Sequence, residues 1–312
     1  MRIEYHRTLI ADEVRNEAFF RALKSVIEPG KTVVADIGAG TGLLGLMASK
    51  LGAKDVFMFE TAEVAGVAAQ VLKANKAKRC HLIPCHSTEF NDDLAVDVIV
   101  SETLGNYALE ENIVATLADA RRRFLKPGGT IIPARIEQYA APVVAPRIDQ
   151  ELRVWQRVGH GIDLGPAQAM TLNNAYVRLI QPSELLDDGR TAITWDTVDL
   201  TSETRAKRKG QSEWRLSKSA IIYGFAVWWT AELVPDITLS TGPSAPRTHW
   251  EQLYFPLSKP IEAKAREHIG LELRSNSSEE AGTHLAWTAI HKNAQGSVLS
   301  RQAHDLDKGY LP

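Results

Sequence analysis

The stretch VVADIGAGTG, Val33–Gly42, runs from an apolar segment straight into closely spaced glycines, and TGLLGLMASKLGA continues it at helical spacing. A buried strand, a tight turn and a helix in that order put free backbone N–H groups and the positive end of a helix dipole at the turn. Gly38, Gly40 and Gly42 let the backbone bend there and approach a ligand without side-chain interference. Asp36 stands beside the turn, and the next strand, DVFMFE, ends in Glu60, where a carboxylate can accept both hydroxyls of a ribose. Two cofactors fit such a site. A dinucleotide site usually reads G-x-G-x-x-G, whereas this turn reads D-x-G-x-G-x-G. S-adenosylmethionine has no pyrophosphate and carries a sulfonium, an amine and a carboxylate. An acid beside the turn suits its cationic groups, so the stretch favours the methyl donor.

Working outward, the first third alternates in type. ADEVRNEAFFRALKSVI is spaced as a helix, AEVAGVAAQVLKANKAK and IVATLADARRRFLKPGG as two more, and CHLIPCH, VDVIVSE and TIIPARIEQYAAPVV as strands. Strands separated by helices predict βαβ units and a mainly parallel sheet. Near Pro133 to Pro146 the pattern changes. One helical insertion follows, then AITWDTVDL, SEWRLSKSAIIYGFAVWWTAEL, QLYFPL, IGLELRSNS and HLAWTAI, strands with polar turns between them, which predict an antiparallel β domain. The basic run TRAKRKGQ, Thr204–Gln211, reads as a solvated turn.

Composition bounds the rest. The chain has 312 residues, 44 % hydrophobic and 24 % charged, enough for two domains with sizeable cores. A formal net charge of −2 points to neither a nucleic-acid nor a membrane surface, and no segment has the length and apolarity of a membrane span. The start, MRIEYHRTLIADEVRNEAFF, lacks the apolar core of a signal peptide. Cys80 and Cys85 make a poor disulfide framework and read as buried thiols rather than metal ligands, so a reducing, cytoplasmic compartment is expected and no metal.

SETLGNYALEE, Ser101–Glu111, places Glu102, Glu110 and Glu111 after a buried strand. The stretch resembles the double-glutamate loop of protein arginine methyltransferases. The glycine-rich turn is similar to the first motif of class I methyltransferases. RTHWEQ matches the arginine methyltransferases' Thr-His-Trp loop at Thr248, His249 and Trp250, and LIADEVRNEAF resembles their N-terminal cofactor-capping helix. LKPGGTIIPARI matches the turn leading into their second domain. The resemblance extends in order over nearly the whole chain. It implies a Rossmann-like domain over 1–135 that binds S-adenosylmethionine, with a capping helix. A β-barrel domain over 136–312 follows, interrupted by a helical dimerisation arm about 155–178, and a homodimer is expected.

The implied chemistry is transfer of a methyl from a sulfonium to a guanidinium nitrogen, leaving S-adenosylhomocysteine. A guanidinium is a planar cation and a poor nucleophile. Two carboxylates can grip its N–H groups, turn one nitrogen toward the methyl and draw positive charge away from it. Held geometry then supplies much of the rate. By resemblance Glu102 and Glu111 are that clamp, and Glu110 is an exposed neighbour. Arg15 pairs with the methionine carboxylate, His6 lies near the cofactor, and Ser87 and Thr88 stand where the family contacts adenine. Asp12 and His249 form a pair that takes up the proton or holds the capping helix down. Leu9, Thr103, Leu104, Asn106, Thr248 and Trp250 are expected as pocket walls. Thr103, Leu104 and Asn106 depart from the common Ser-Glu-Trp-Met-Gly-Tyr, which leaves the number and placement of methyls open. The substrate is an arginine-containing protein or, alternatively, free arginine or a small guanidino metabolite. A silent cofactor-binding scaffold is the reading from a different class. No basic stripe or aromatic platform supports nucleic acid as the substrate.

Overall fold

The computed structural model describes residues 3–278 and 282–308; residues 1–2, 279–281 and 309–312, which belong to the two expected domains, lie outside the described residues. The N-terminal helical stretch is two helices, α1 (Ile3–Ile10) and α2 (Glu13–Val26), because the Asp12 side chain accepts from the Arg15 amide at 2.9 Å and starts α2 afresh. Then come β1 (Val33–Ile37), α3 (Leu43–Lys50), β2 (Asp55–Phe59), α4 (Ala65–Ala74), β3 (Cys80–Ile83), β4 (Val96–Ser101), α5 (Ile113–Phe124) and β5 (Leu125–Ile132). The five strands form one parallel sheet in the order β3-β2-β1-β4-β5. Helices cover it, so β1 and β4 are buried on both faces and read as continuous apolar runs. LKPGG, expected as a helix tail, belongs to β5: α5 stops at Phe124 and the ladder with β4 resumes beyond the glycines.

The chain continues through β6 (Arg135–Val143), α6 (Arg147–Leu152), α7 (Gly165–Leu172), β7 (Tyr176–Arg178), β8 (Ile193–Asp199), β9 (Lys207–Arg215) and β10 (Ala220–Val234). It ends with β11 (Ile237–Ser240), β12 (Gln252–Ala263), β13 (His268–Ser278), β14 (Gly282–Lys292) and β15 (Val298–Asp305). These strands make two antiparallel sheets. One runs β7-β12-β10-β6-β8 with β11 beside β10, and the other runs β15-β14-β13-β9. The run FAVWW of β10 is apolar throughout because both faces of its sheet are covered. Phe225, Val227 and Trp229 join the main core shared with the parallel sheet, while Ala226 and Trp228 pack in a second cluster with Ile148 of α6 and Leu172 of α7.

The basic run expected to be a turn is instead most of β9. Lys207, Lys209, Gln211, Glu213 and Arg215 are exposed, while Ser212 and Trp214 turn inward. Period-two alternation, masked by charge on the outer face, decides the strand. Among the described residues no helix is long and apolar enough to cross a membrane.

Candidate active site

The carboxyl ends of β1, β2 and β4 open into one cleft of about 250 Å³, the crevice where open parallel sheets bind ligands. β1 and β4 are neighbours at the centre of the sheet, where the strand order reverses. The chain leaves β1 through Gly38 and Gly40, both at positive φ (+74° and +56°). A Cβ on Gly40 would stand 3.1 Å from the His6 ring, and one on Gly38 would press on the Thr103 methyl at 2.7 Å. The absent side chains therefore leave room for α1 and for the glutamate loop. Gly42, at φ +89°, starts α3 and is packed against Met58, outside the cleft lining.

The cleft floor is polar and fixed. Asp36 Oδ2 accepts from the Gly45 amide at 2.8 Å, and its Oδ1 is buried without a protein partner. Burial pushes the Asp36 carboxyl up to about 7. Glu60 accepts from the Gly40 amide at 2.7 Å and the Ala62 amide at 2.8 Å, which aims its carboxylate at the cleft. Ser87 Oγ and His6 Nε2 are likewise buried without a protein partner. Burial lowers the His6 pKa, against the pull of Glu60, so its ring is neutral and able to accept or donate one hydrogen bond. Three orphaned polar atoms around one cleft call for a polar ligand. Their arrangement beside a glycine-rich turn, with Glu60 across from it, fits S-adenosylmethionine.

At the other end of the cleft, Arg15 from α2 holds Glu102, with Nε 2.7 Å from Oε2 and a second contact from Nη2. Both side chains are nearly buried, and burial pushes the Glu102 carboxyl up despite the guanidinium beside it. Glu111 lines the same cleft, exposed as a residue but with its carboxyl walled by protein. That partial burial, with the charges of Glu102 and Glu110, pushes its carboxyl up to about 7. Glu110 keeps an exposed face, yet its carboxylate lies against Gly105, where a Cβ would collide with it. Gly105 thus makes room for Glu110.

The second domain holds the loop between these acids. Trp250 Nε1 donates to Leu104 O at 2.9 Å and Trp229 Nε1 to Gly105 O at 3.0 Å. The Glu251 amide donates to Asn106 Oδ1 at 3.0 Å. Asp12 completes the frame: its Oδ2 accepts from the His249 backbone amide at 2.8 Å and lies 2.7 Å from His249 Nδ1. Burial would raise the Asp12 carboxyl, but these hydrogen bonds and the one from the Arg15 amide outweigh it and hold it low.

The structure brings His6, Leu9, Arg15, Asp36, Gly38, Gly40, Glu60, Ser87, Glu102, Thr103 and Glu111 around the cleft. It places the other expected residues elsewhere. Leu104 is buried beneath the loop, and Asn106 is spent on the Glu251 amide. Thr248 and Trp250 line a separate, smaller pocket, and His249 is turned to Asp12. Thr88 bonds its hydroxyl to His86 Nδ1 at 2.7 Å, outside the lining. Cys85, read as a buried thiol, is half-buried and lines the cleft with His86 and Thr116. The end of a β strand beside Ser87 is the local signal for Cys85 and His86. Nothing local marks Thr116, which comes in from α5.

Comparisons with known proteins agree with this fold. Residues 134–289 match the family described as "Arginine methyltransferase oligomerization subdomain", and residues 17–159 match "Ribosomal protein L11 methyltransferase (PrmA)". Protein arginine N-methyltransferase 6 of Danio rerio is 30% identical over 300 residues, covering 91% of this chain and 84% of the relative. Protein arginine N-methyltransferase 1 of Dictyostelium discoideum is 31% identical over 263 residues, covering 80% and 75%. The fold matches the Trypanosoma brucei PRMT1 enzyme–prozyme heterotetrameric complex with AdoHcy, with a TM-score of 0.84 at 21% identity over 96% of this chain and 97% of that one. It also matches Arabidopsis thaliana protein arginine methyltransferase 10, with a TM-score of 0.80 at 22% identity over 98% of each. With a parallel-sheet domain, an antiparallel β domain and this sequence kinship, the chain belongs to the protein arginine methyltransferase family of S-adenosylmethionine-dependent methyltransferases.

Proposed function

We propose that this protein methylates a guanidinium nitrogen of arginine in a protein or peptide, and that Glu102 and Glu111 hold the guanidinium between them. The observation that carries the reading is the presence of two carboxylates, close enough to feel each other's charge, in the lining of one cleft whose floor fits the family's cofactor. When bound, S-adenosylmethionine supplies a methyl group activated by its sulfonium. Asp36, Glu60, Ser87, His6 and the backbone at Gly38 and Gly40 would hold it, with Arg15 for its carboxylate.

Arg15 already contacts Glu102 and keeps that carboxylate in one orientation. Glu102 then accepts guanidinium N–H bonds, which are short and strong between charged partners. Glu111 meets the same cation from the other side. A cation beside it favours the ionised carboxylate, so arrival of substrate lowers a group that otherwise titrates at about 7. The nitrogen that gains the methyl becomes acidic and sheds a proton, and the ionised Glu111 carboxylate beside it is placed to take it. His249 holds α2 to the second domain through Asp12.

We assign residues 1–135 to the cofactor domain and 136–312 to the β domain, with the arm at about 155–178. The arm carries exposed Val158, Ile162 and Met170, and α1 exposes Ile3 and Tyr5; a second copy of this chain would cover such patches. Light scattering at micromolar concentration should give a dimer mass, and Ile162→Glu should shift it toward the monomer. The free thiols of Cys80 and Cys85 fit a cytoplasmic setting.

Mass spectrometry tests the reaction. Purified protein with labelled S-adenosylmethionine should mark Arg/Gly-rich peptides. Label on free arginine alone would replace a protein substrate with a metabolite. No transfer to either, or to a broad lysate, would leave a silent scaffold.

A further inference from the structure

We propose that the Tyr107 hydroxyl positions the glutamate loop, setting the separation of Glu102 and Glu111 through a buried polar network that ends in the β domain. Tyr107 stands between the two acids in sequence and is 1% exposed. Its hydroxyl is 2.6 Å from Ser275 Oγ on β13 and accepts from Gln138 Nε2 on β6 at 3.5 Å. Gln138, also 1% exposed, donates onward to Asp196 Oδ2 on β8 at 3.0 Å. Arg208 on β9 grips Asp196 with two bonds, at 2.6 and 2.9 Å, and reaches Glu203 at 2.6 Å.

The network therefore joins the loop of the first domain to both antiparallel sheets. Gln138 and Asp196 belong to one sheet, Ser275 and Arg208 to the other. A phenylalanine would fill the same apolar space. The hydroxyl sits where named partners must satisfy it, and such a group specifies one register for the chain that carries it. Trp250 and Trp229 grip the main-chain carbonyls of Leu104 and Gly105 and the Glu251 amide holds Asn106, all toward Glu102, while Thr283 Oγ1 of β14 donates to Glu110 O at 3.1 Å at the far end. Tyr107 fixes the loop between these two sets of tethers. Burial pushes its phenol up to about 12, so it stays a neutral hydrogen-bonding group across the working pH range. Arg208 and Asp196 are almost wholly buried and doubly bonded, a rigid anchor for the far end.

Tyr107 lies outside the cleft lining, so it acts through the loop rather than on cofactor or substrate. The inference rests on Glu102 and Glu111 holding the guanidinium. The test compares wild type with Tyr107→Phe and Gln138→Leu, using labelled S-adenosylmethionine and an Arg/Gly-rich peptide. Cofactor Kd by titration should stay within about twofold of wild type. The peptide KM should rise about tenfold for Tyr107→Phe, and less for Gln138→Leu, with kcat falling by a smaller factor. Variants that melt at lower temperature but keep the wild-type KM would reduce the network to a structural one and overturn the proposal. If Tyr107→Phe does not fold, Gln138→Leu decides the matter by the same KM criterion, since it leaves the phenol in place. A Glu102→Gln variant as active as wild type would defeat the functional reading itself. Transfer lost in Glu102→Gln, together with an unchanged KM in Tyr107→Phe and Gln138→Leu, would defeat only the positioning role of Tyr107.

Discussion

The two ends of the cleft are built in opposite ways. At the cofactor end, Asp36, Gly38, Gly40 and Glu60 come from two adjacent strands and the turn after the first, and their partners are backbone amides close by. At the proposed substrate end, Glu102 and Glu111 flank a loop whose shape is imposed from outside, by Trp229, Trp250 and Glu251 of the second domain and by Arg15 of α2. A locally built site keeps its geometry when distant parts of the chain change. A site hung from distant elements responds to changes in any of them. The cofactor end is thus expected to be robust and the substrate end adjustable.

The largest expected effect separates the ends. Glu102→Gln should lower methyl transfer by about 10²–10³-fold, the scale for losing one preorganised electrostatic contact, while cofactor affinity holds. Isothermal titration with S-adenosylhomocysteine checks the second half; a matching loss of affinity would break the comparison, because Arg15 would then bind the two ends into one unit. Gly40→Ala should do the reverse. The left-handed backbone costs an alanine about 1–2 kcal/mol, and the new Cβ would crowd His6. Cofactor Kd should rise accordingly, with the peptide KM at saturating cofactor little changed.

The pH dependence comes next. With Glu111 titrating at about 7, kcat/KM should rise through that pH as the carboxylate ionises, by about tenfold between pH 6 and pH 8. At saturating substrate the cation lowers Glu111, so the limb in kcat should move to lower pH. Glu111→Gln should remove the limb from whatever rate survives. Stability runs the other way. A raised carboxyl leaves the folded chain holding more protons than the unfolded one between 4.5, the ordinary value, and about 7. The contribution of Glu111 therefore favours folding at low pH and is lost as pH rises through that window. Denaturant midpoints of wild type and Glu111→Gln at pH 5 and pH 8 would show it, with the variant gaining relative to wild type at the higher pH.

The smallest effect sharpens the role of the frame. Asp12→Ala should cost about 1 kcal/mol for the helix cap and also release His249. Asp12→Asn keeps a capping oxygen and should cost less. Urea unfolding of both variants, alongside peptide KM, tells whether the loop is disturbed beyond the loss of the cap.

The same contrast decides what the sequence discloses. The strand, glycine turn and following helix at Val33–Lys50 are legible because each signal is local: an apolar run, missing side chains, helical spacing. Glu102 and Glu111 are singled out from Glu110 only by resemblance to a family loop; both line the cleft. The residues around them are less legible. Places in two motifs suggest Leu104, Asn106, Thr248 and Trp250 as pocket walls. Which way they face depends on partners elsewhere: the Trp250 indole is used on Leu104 O, and the Asn106 side-chain oxygen on the Glu251 amide. Tyr107 meets Ser275 across 168 positions of chain, a pairing no local pattern encodes. Charge hides β9 in the same way, since Arg208 looks like one more cation in a basic run until Asp196 and Glu203 are beside it.

Asp12 uses one oxygen inside its own helix and the other on a loop 237 positions away. Such a carboxylate works as a latch with a single bolt. If α2 frays at its first turn, the Thr-His-Trp loop loses its hold, and if that loop swings out, the helix loses its cap. Release of α2 from that loop should then be an all-or-none event, visible as one exchange rate shared by the Arg15 and His249 amides.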